Sequence, residues 1–196
     1  KPTFASMFIL VATLLYVYAT NLKQIPLLGN VIVAFLLSVS ILIIALFDIF
    51  PATDMDNKIR MGEAFNILVD YAIFAFIINL IRELVKDLED MDGDSATGIN
   101  TLPIAIGINK TKIIVGVLTV TAIALLVYYI KLHLFDLDYV LYYGLVFIVG
   151  PLIFLGVKLI QANEKKEYHF LSTLLKIVLF FGILSVAVIV LNLKYA

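Results

Sequence analysis

Residues 64–96 read AFNILVDYAIFAFIINLIRELVKDLEDMDGDSA. The first part, Ala64–Ile81, carries a single charge, Asp70, and otherwise consists of apolar residues and one Asn at each of positions 66 and 79. The next part is its opposite: six of the chain's fifteen acids fall between Glu83 and Asp94. A carboxylate at mid-bilayer costs about 2.5–3.5 kcal/mol, so burying six would cost about 15–21 kcal/mol. An apolar run that opens into such a stretch predicts a membrane helix whose acidic end reaches the interface or a wet cavity.

The whole composition agrees with that reading. The 196 residues are 63% hydrophobic and 15% charged, with a mean hydropathy of +1.08. Soluble domains hold about 45–50% apolar and about 25% charged residues. Disorder is excluded by the apolar excess and a net charge of −1. Fourteen basic against fifteen acidic residues leave no electropositive footprint for nucleic acid. With no Cys and only two His, disulfide scaffolds, thiolate chemistry and Cys/His zinc sites drop out.

A spanning helix needs about 20 mostly apolar residues. Six candidate spans follow, A to F: Pro2–Leu22, Gln24–Phe47, Ala64–Ile81, Ile113–Ile130, Tyr139–Val157 and Tyr168–Leu193. The fold class expected is all-α, a multi-pass transmembrane helical bundle. Pro51 should end B, and Pro151 should kink E, which neighbouring helices can tolerate. Tyrosines such as Tyr16, Tyr18, Tyr128 and Tyr139 lie near span ends, as an aromatic belt requires. The A–B, C–D and E–F connections hold eight Lys and Arg and the opposite side five, which sets those loops in the cytoplasm. The chain opens Lys1-Pro2-Thr3 with no signal-peptide pattern, and reads as processed or as a piece of something longer.

On a helix, Asn79, Glu83, Asp87, Asp90 and Asp94 fall within about 80° of one another. Arg82 and Lys86 edge that column of carboxylates. Like charges so close repel and raise one another's pKa unless a cation neutralises them. Mg²⁺ takes one or two carboxylates and completes its shell with water and substrate phosphates, so the column suggests a magnesium–diphosphate site. The plainer alternative is a solvated acidic helix end supported by i,i+4 pairs. A calcium EF-hand fails, because Ser95 stands where Gly is needed and Thr101 where the bidentate Glu belongs.

Arg82-Glu83-x-x-Lys86-Asp87-x-x-Asp90-x-x-Gly93-Asp94, followed by Thr101-Leu102-Pro103, resembles the second aspartate-rich motif of the UbiA-type intramembrane prenyltransferases. Tyr18-Ala19-Thr20-Asn21-Leu22-Lys23 with Pro26-x-x-Gly29-Asn30 is similar to that family's Y-S/T-x-x-L-K-R…P-x-x-G-N loop. Ala19 and Gln24 depart from its commoner Ser/Thr and Arg. The resemblance implies that spans A–F are helices four to nine of a nine-helix fold. It covers the family's C-terminal two-thirds only. The family's first motif, N-x-x-x-D-x-x-x-D, finds no match, so residues 1–196 read as one integral membrane domain. That domain is a fragment without the first three helices, expected to be inactive alone.

The resemblance further implies Mg²⁺-dependent transfer of an isoprenyl group from a polyprenyl diphosphate to a lipid or aromatic acceptor. The motif spelling leans towards geranylgeranylglyceryl phosphate and ether-lipid synthesis, with 4-hydroxybenzoate or another quinone precursor as further acceptors. Asp90 and Asp94 are then the metal-facing carboxylates, with Asp87 a third ligand or an orienter. Lys23, Lys86 and Arg82 are the cations for diphosphate and Tyr18 a hydrogen-bond donor; Asn79, on the acidic face by its spacing, either lines the site or bonds between helices. Thr101-Leu102-Pro103 shapes the start of span D. Asp70 in span C and Lys176 in span F are intramembrane charges, functional or paired inside the bundle. Two other readings stand beside this one: a cation-coupled membrane transporter, and a non-catalytic relative that keeps the fold.

Overall fold

The computed structural model describes residues 2–22, 25–135 and 137–195. Among them the chain is entirely helical apart from its turns: α1 Pro2–Thr20, α2 Leu28–Ala52, α3 Lys58–Ala96, α4 Leu102–Ile106, α5 Ile108–Leu134, α6 Asp138–Gln161 and α7 Lys165–Tyr195. Five of these, α2, α3, α5, α6 and α7, are long and apolar enough to cross a membrane. α1 is not among them: the apolar stretch found within it among the described residues is the shorter Phe8–Thr20. Five described spans in seven helices therefore replace the six spans of a nine-helix fold that the sequence predicts.

The solvent dictates which faces turn outward. Ile113, Val117 and Val120 on α5, and Ile183, Val186 and Val190 on α7, recur at helical spacing and all stand exposed. Only a hydrocarbon surround makes such faces favourable. Buried positions include small and hydroxylated residues: Ser38, Thr111, Thr119 and Ser172. Their size lets helices approach, and backbone carbonyls take the hydroxyls, as where Thr119 Oγ1 donates to Val115 O at 2.8 Å.

At the centre lies α3, packed against α2, α5 and α7. Its Ile81, Leu84, Val85 and Leu88 join Val115 of α5, Leu155 of α6 and Leu175 of α7 in one apolar core. A π turn over Ala45–Ile49 carries α2 on to Ala52, one residue past Pro51, where Thr53 turns extended. In α6 a π turn over Leu145–Val149 precedes Pro151, the kind of local adjustment by which a membrane helix accommodates an interior proline.

Two glycines turn the chain back towards the acidic end of α3. Gly98, at φ 73°, lets the Ile99 N–H reach Asp94 O at 2.9 Å and closes the helix. Gly107, at φ 91°, separates α4 from α5. Between them Thr101 opens α4, with Pro103 in its first turn. Replacing Leu84, which is fully buried, by Ala should destabilise the bundle by about 2–5 kcal/mol. Ile113→Ala on the exposed face should change stability by less than about 0.5 kcal/mol. Thermal unfolding in detergent micelles measures both.

Candidate functional site

At 1.5 Å per residue the 39 residues of α3 extend about 58 Å, against about 30 Å of hydrocarbon. The apolar part, Ala64–Ile81, fits inside. The polar part from Arg82 to Asp94 stands beyond it. There the helical repeat sets Glu83, Asp87, Asp90 and Asp94 along one cavity of about 160 Å³. Tyr18 of α1, Asn30 of α2, Lys86 of α3 and Thr101 complete its polar wall.

Each of these positions has a local cause. Leu27, the residue before α2, adopts φ 66° and ψ −38°, a left-handed conformation that a side chain makes unfavourable by about 1–3 kcal/mol. That turn starts α2 beside α3, and Asn30 in its first turn donates Nδ2–H to Asp87 Oδ2 at 3.0 Å. The fold-back after Gly98 brings Thr101 to the same cavity. Its Oγ1 is buried and accepts or donates no hydrogen bond.

Four carboxylates and one lysine give this cavity an acidic wall. Burial pushes the Asp87 carboxyl up to about 7, the Asn30 hydrogen bond works against that rise, and Asp94 and Glu83 add repulsion. Outside the cavity wall, Lys165 Nζ of α7 lies 3.9 Å from Asp90 Oδ1, and His169 Nδ1 lies 2.8 Å from Glu89 Oε1. Among the described residues no three His, Cys, Asp or Glu side chains stand close enough to hold a metal by themselves. The donors are all hard oxygens. They suit a cation that draws its remaining ligands from phosphate and water, and they do not form a protein-only cage.

A second, larger cavity of about 340 Å³ lies inside the bundle and is mostly apolar. Asn79 lines it, and Glu83, one helical turn on, lines the acidic one. Tyr18, Lys86, Asp87, Asp90 and Asp94, singled out in the sequence, thus share one cavity. Asn79 stands apart on the apolar cavity, its Nδ2 donating to Ala75 O at 2.8 Å. Arg82 is also outside the acidic cavity, with Nη1 2.6 Å from Glu83 Oε1 and Nε buried without a partner. Lys23 and Gln24 lie outside the described residues. Asn30 and Thr101 were legible only as members of the quoted motifs, Pro26–Asn30 and Thr101–Pro103; their contact with the acidic face is a tertiary fact.

The sequence model of the UbiA prenyltransferase family matches residues 1–182. That is nearly the whole chain, and it corrects the expectation of a likeness confined to the C-terminal two-thirds. A digeranylgeranylglyceryl phosphate synthase of Methanobrevibacter smithii is 32% identical over 164 residues, 83% of this chain and 53% of that protein. One of Methanopyrus kandleri is 41% identical over 116 residues, 59% of this chain and 36% of that protein. The chain thus spans about a third to a half of the length of these curated relatives. No solved structure gives a significant match.

The raised Asp87 carboxyl has a measurable sign. Between pH 3.8 and about 7 the folded protein keeps a proton there that the unfolded chain has released. Stability therefore falls as pH rises through that window. Thermal unfolding against pH in cation-free buffer should register the decline, and Asp87→Asn should flatten it.

Proposed function

This chain belongs to the UbiA prenyltransferase family, and from that premise we propose that the protein transfers an isoprenyl group from an isoprenyl diphosphate to an acceptor within the membrane. The acceptor favoured is geranylgeranylglyceryl phosphate, as in the named relatives, with an aromatic quinone precursor as the other class. The observation that carries this reading is the adjacency of the two cavities along α3, one acidic and one apolar. An isoprenyl diphosphate has that same division, an anionic head on a hydrocarbon tail.

Four carboxylates against Lys86 would repel a diphosphate unless a divalent cation stands between them. Mg²⁺ is the cation proposed, held by Asp90 and Asp94 with Asp87 as third ligand or orienter. When bound, it neutralises the diphosphate and the charge that develops as the leaving group departs. Asn30 fixes the Asp87 carboxylate by its hydrogen bond. Lys86 meets diphosphate oxygens, Lys23 is the further cation that the motif supplies, and the Tyr18 hydroxyl donates to them. Arg82, paired with Glu83, orients that carboxylate. The allylic C–O bond breaks with its electron pair leaving on diphosphate, and the acceptor's nucleophilic atom bonds to the freed carbon and loses its proton. The apolar cavity, with Asn79 at its junction with the acidic one, takes the tail and keeps water from the electron-poor carbon. The proposed orientation sets the acidic end at the cytoplasmic face, supported by eight Lys and Arg against five.

Asp90→Asn and Asp94→Asn, made separately in the full-length protein, should each lower Mg²⁺-dependent prenyl transfer by roughly a hundred-fold or more. The measurement is release of diphosphate from geranylgeranyl diphosphate in reconstituted vesicles. Unchanged transfer would sink the site assignment. Cation uptake by the same vesicles without diphosphate release would favour a transporter instead.

A further inference from the structure

Asp70 takes no part in the reaction described above. It stands six residues into Ala64–Ile81, the apolar part of α3, about 9 Å from one end of that run and about 16 Å from the other. An ionisable group at such depth is costly unless a counter-charge meets it. Asp70 lines the large apolar cavity, and among the described residues no Lys, Arg or His lines that cavity with it. The ion pairs described between α3 and α7, Asp90 with Lys165 and Glu89 with His169, lie at the acidic end instead. Two of the wall's hydroxyls are engaged elsewhere. Tyr71 bonds Ser185 Oγ at 2.5 Å, and Tyr143 donates to Phe181 O at 2.8 Å. Most of the remaining wall is hydrocarbon and aromatic, including the Phe74 and Tyr129 rings, whose centroids lie 5.9 Å apart. Phe74 follows Asp70 by one turn on the same face of α3.

We propose that the apolar cavity is a binding site for a lipophilic amine, with the ammonium on Asp70 and the ligand's hydrocarbon along the apolar wall. The class of ligand follows from the wall. A bare metal cation needs several oxygen ligands, and a mostly apolar cavity of about 340 Å³ offers it one carboxylate. A neutral lipid fills the space but leaves that carboxylate without a counter-charge. A protonated amine on a hydrocarbon chain supplies both the charge and the apolar surface, and aromatic rings in the wall favour its ammonium. The site does not depend on the isoprenyl-transfer reading. Under that reading the amine and the donor's tail compete for one cavity.

The probe is farnesylamine with a diazirine beside the amine, bound to the full-length protein in phosphatidylcholine vesicles and crosslinked by light. The label should fall on cavity-lining residues around Asp70. Unlabelled farnesylamine should displace it at a bilayer concentration roughly ten-fold or more below that of farnesol, which has the same chain and no charge. Asp70→Asn should remove that advantage, and Asp70→Glu should keep it. Equal displacement by amine and alcohol overturns the proposal on the unaltered protein alone, whether or not a variant folds. An advantage that survives Asp70→Asn overturns it too. So does label confined to lipid-facing residues, or label on Glu83–Asp94, which would put the ammonium in the acidic cavity. None of these measurements involves prenyl transfer, so their failure leaves the reading of the acidic cavity in place, and the converse holds.

Discussion

Carboxylates cannot enter hydrocarbon, and α3 carries its acids in a block at one end. That constraint organises the rest. It fixes how α3 sits: the apolar Ala64–Ile81 spans, and Arg82–Asp94 stands clear. Because α3 is also the helix on which α2, α5 and α7 pack, its placement along the membrane normal sets theirs. The core residues Ile81, Leu84, Val85 and Leu88 lie immediately before and within the acidic block, so one face of the same turns is buried while another lines the cavity.

Burying part of that acidic face has a consequence of its own. Asp87 is held at about 7 by the loss of solvation, with Asn30 as its counterweight. The fold spends backbone strain at Leu27, and uses the freedom of Gly98 and Gly107 at positive φ, to bring α2 and the Thr101 segment against it. The strained Leu27 backbone and a carboxylate cluster faced by a single lysine meet at this one end of α3. The unpartnered Thr101 hydroxyl belongs to the same pattern.

The adjacency of the two cavities follows from helix geometry. Asn79 and Glu83 are four residues apart on one face, so a ligand following α3 passes from hydrocarbon to carboxylates within a single turn. A head and tail of opposite character can then be held together on a rigid element, where a loop would let them drift. Hydroxyls from four helices interrupt the apolar cavity farther along, at the level of Tyr71 and Ser185.

By itself the sequence determined the all-α membrane class, the acidic column from Glu83 to Asp94 and the family likeness, because hydropathy and helical spacing are local properties. It counted α1 as a sixth span, whereas five of the described helices are long and apolar enough to cross. Helical angle put Asn79 on the acidic face, but that it lines the apolar cavity depends on the neighbouring helices. Only the tertiary structure decided that Asn30 holds Asp87, that Thr101 returns to the acidic face, and that Tyr71 meets Ser185 across 114 positions of chain. The physical reason is the same in each case. Periodicity says which residues share a face, and packing alone says what that face meets.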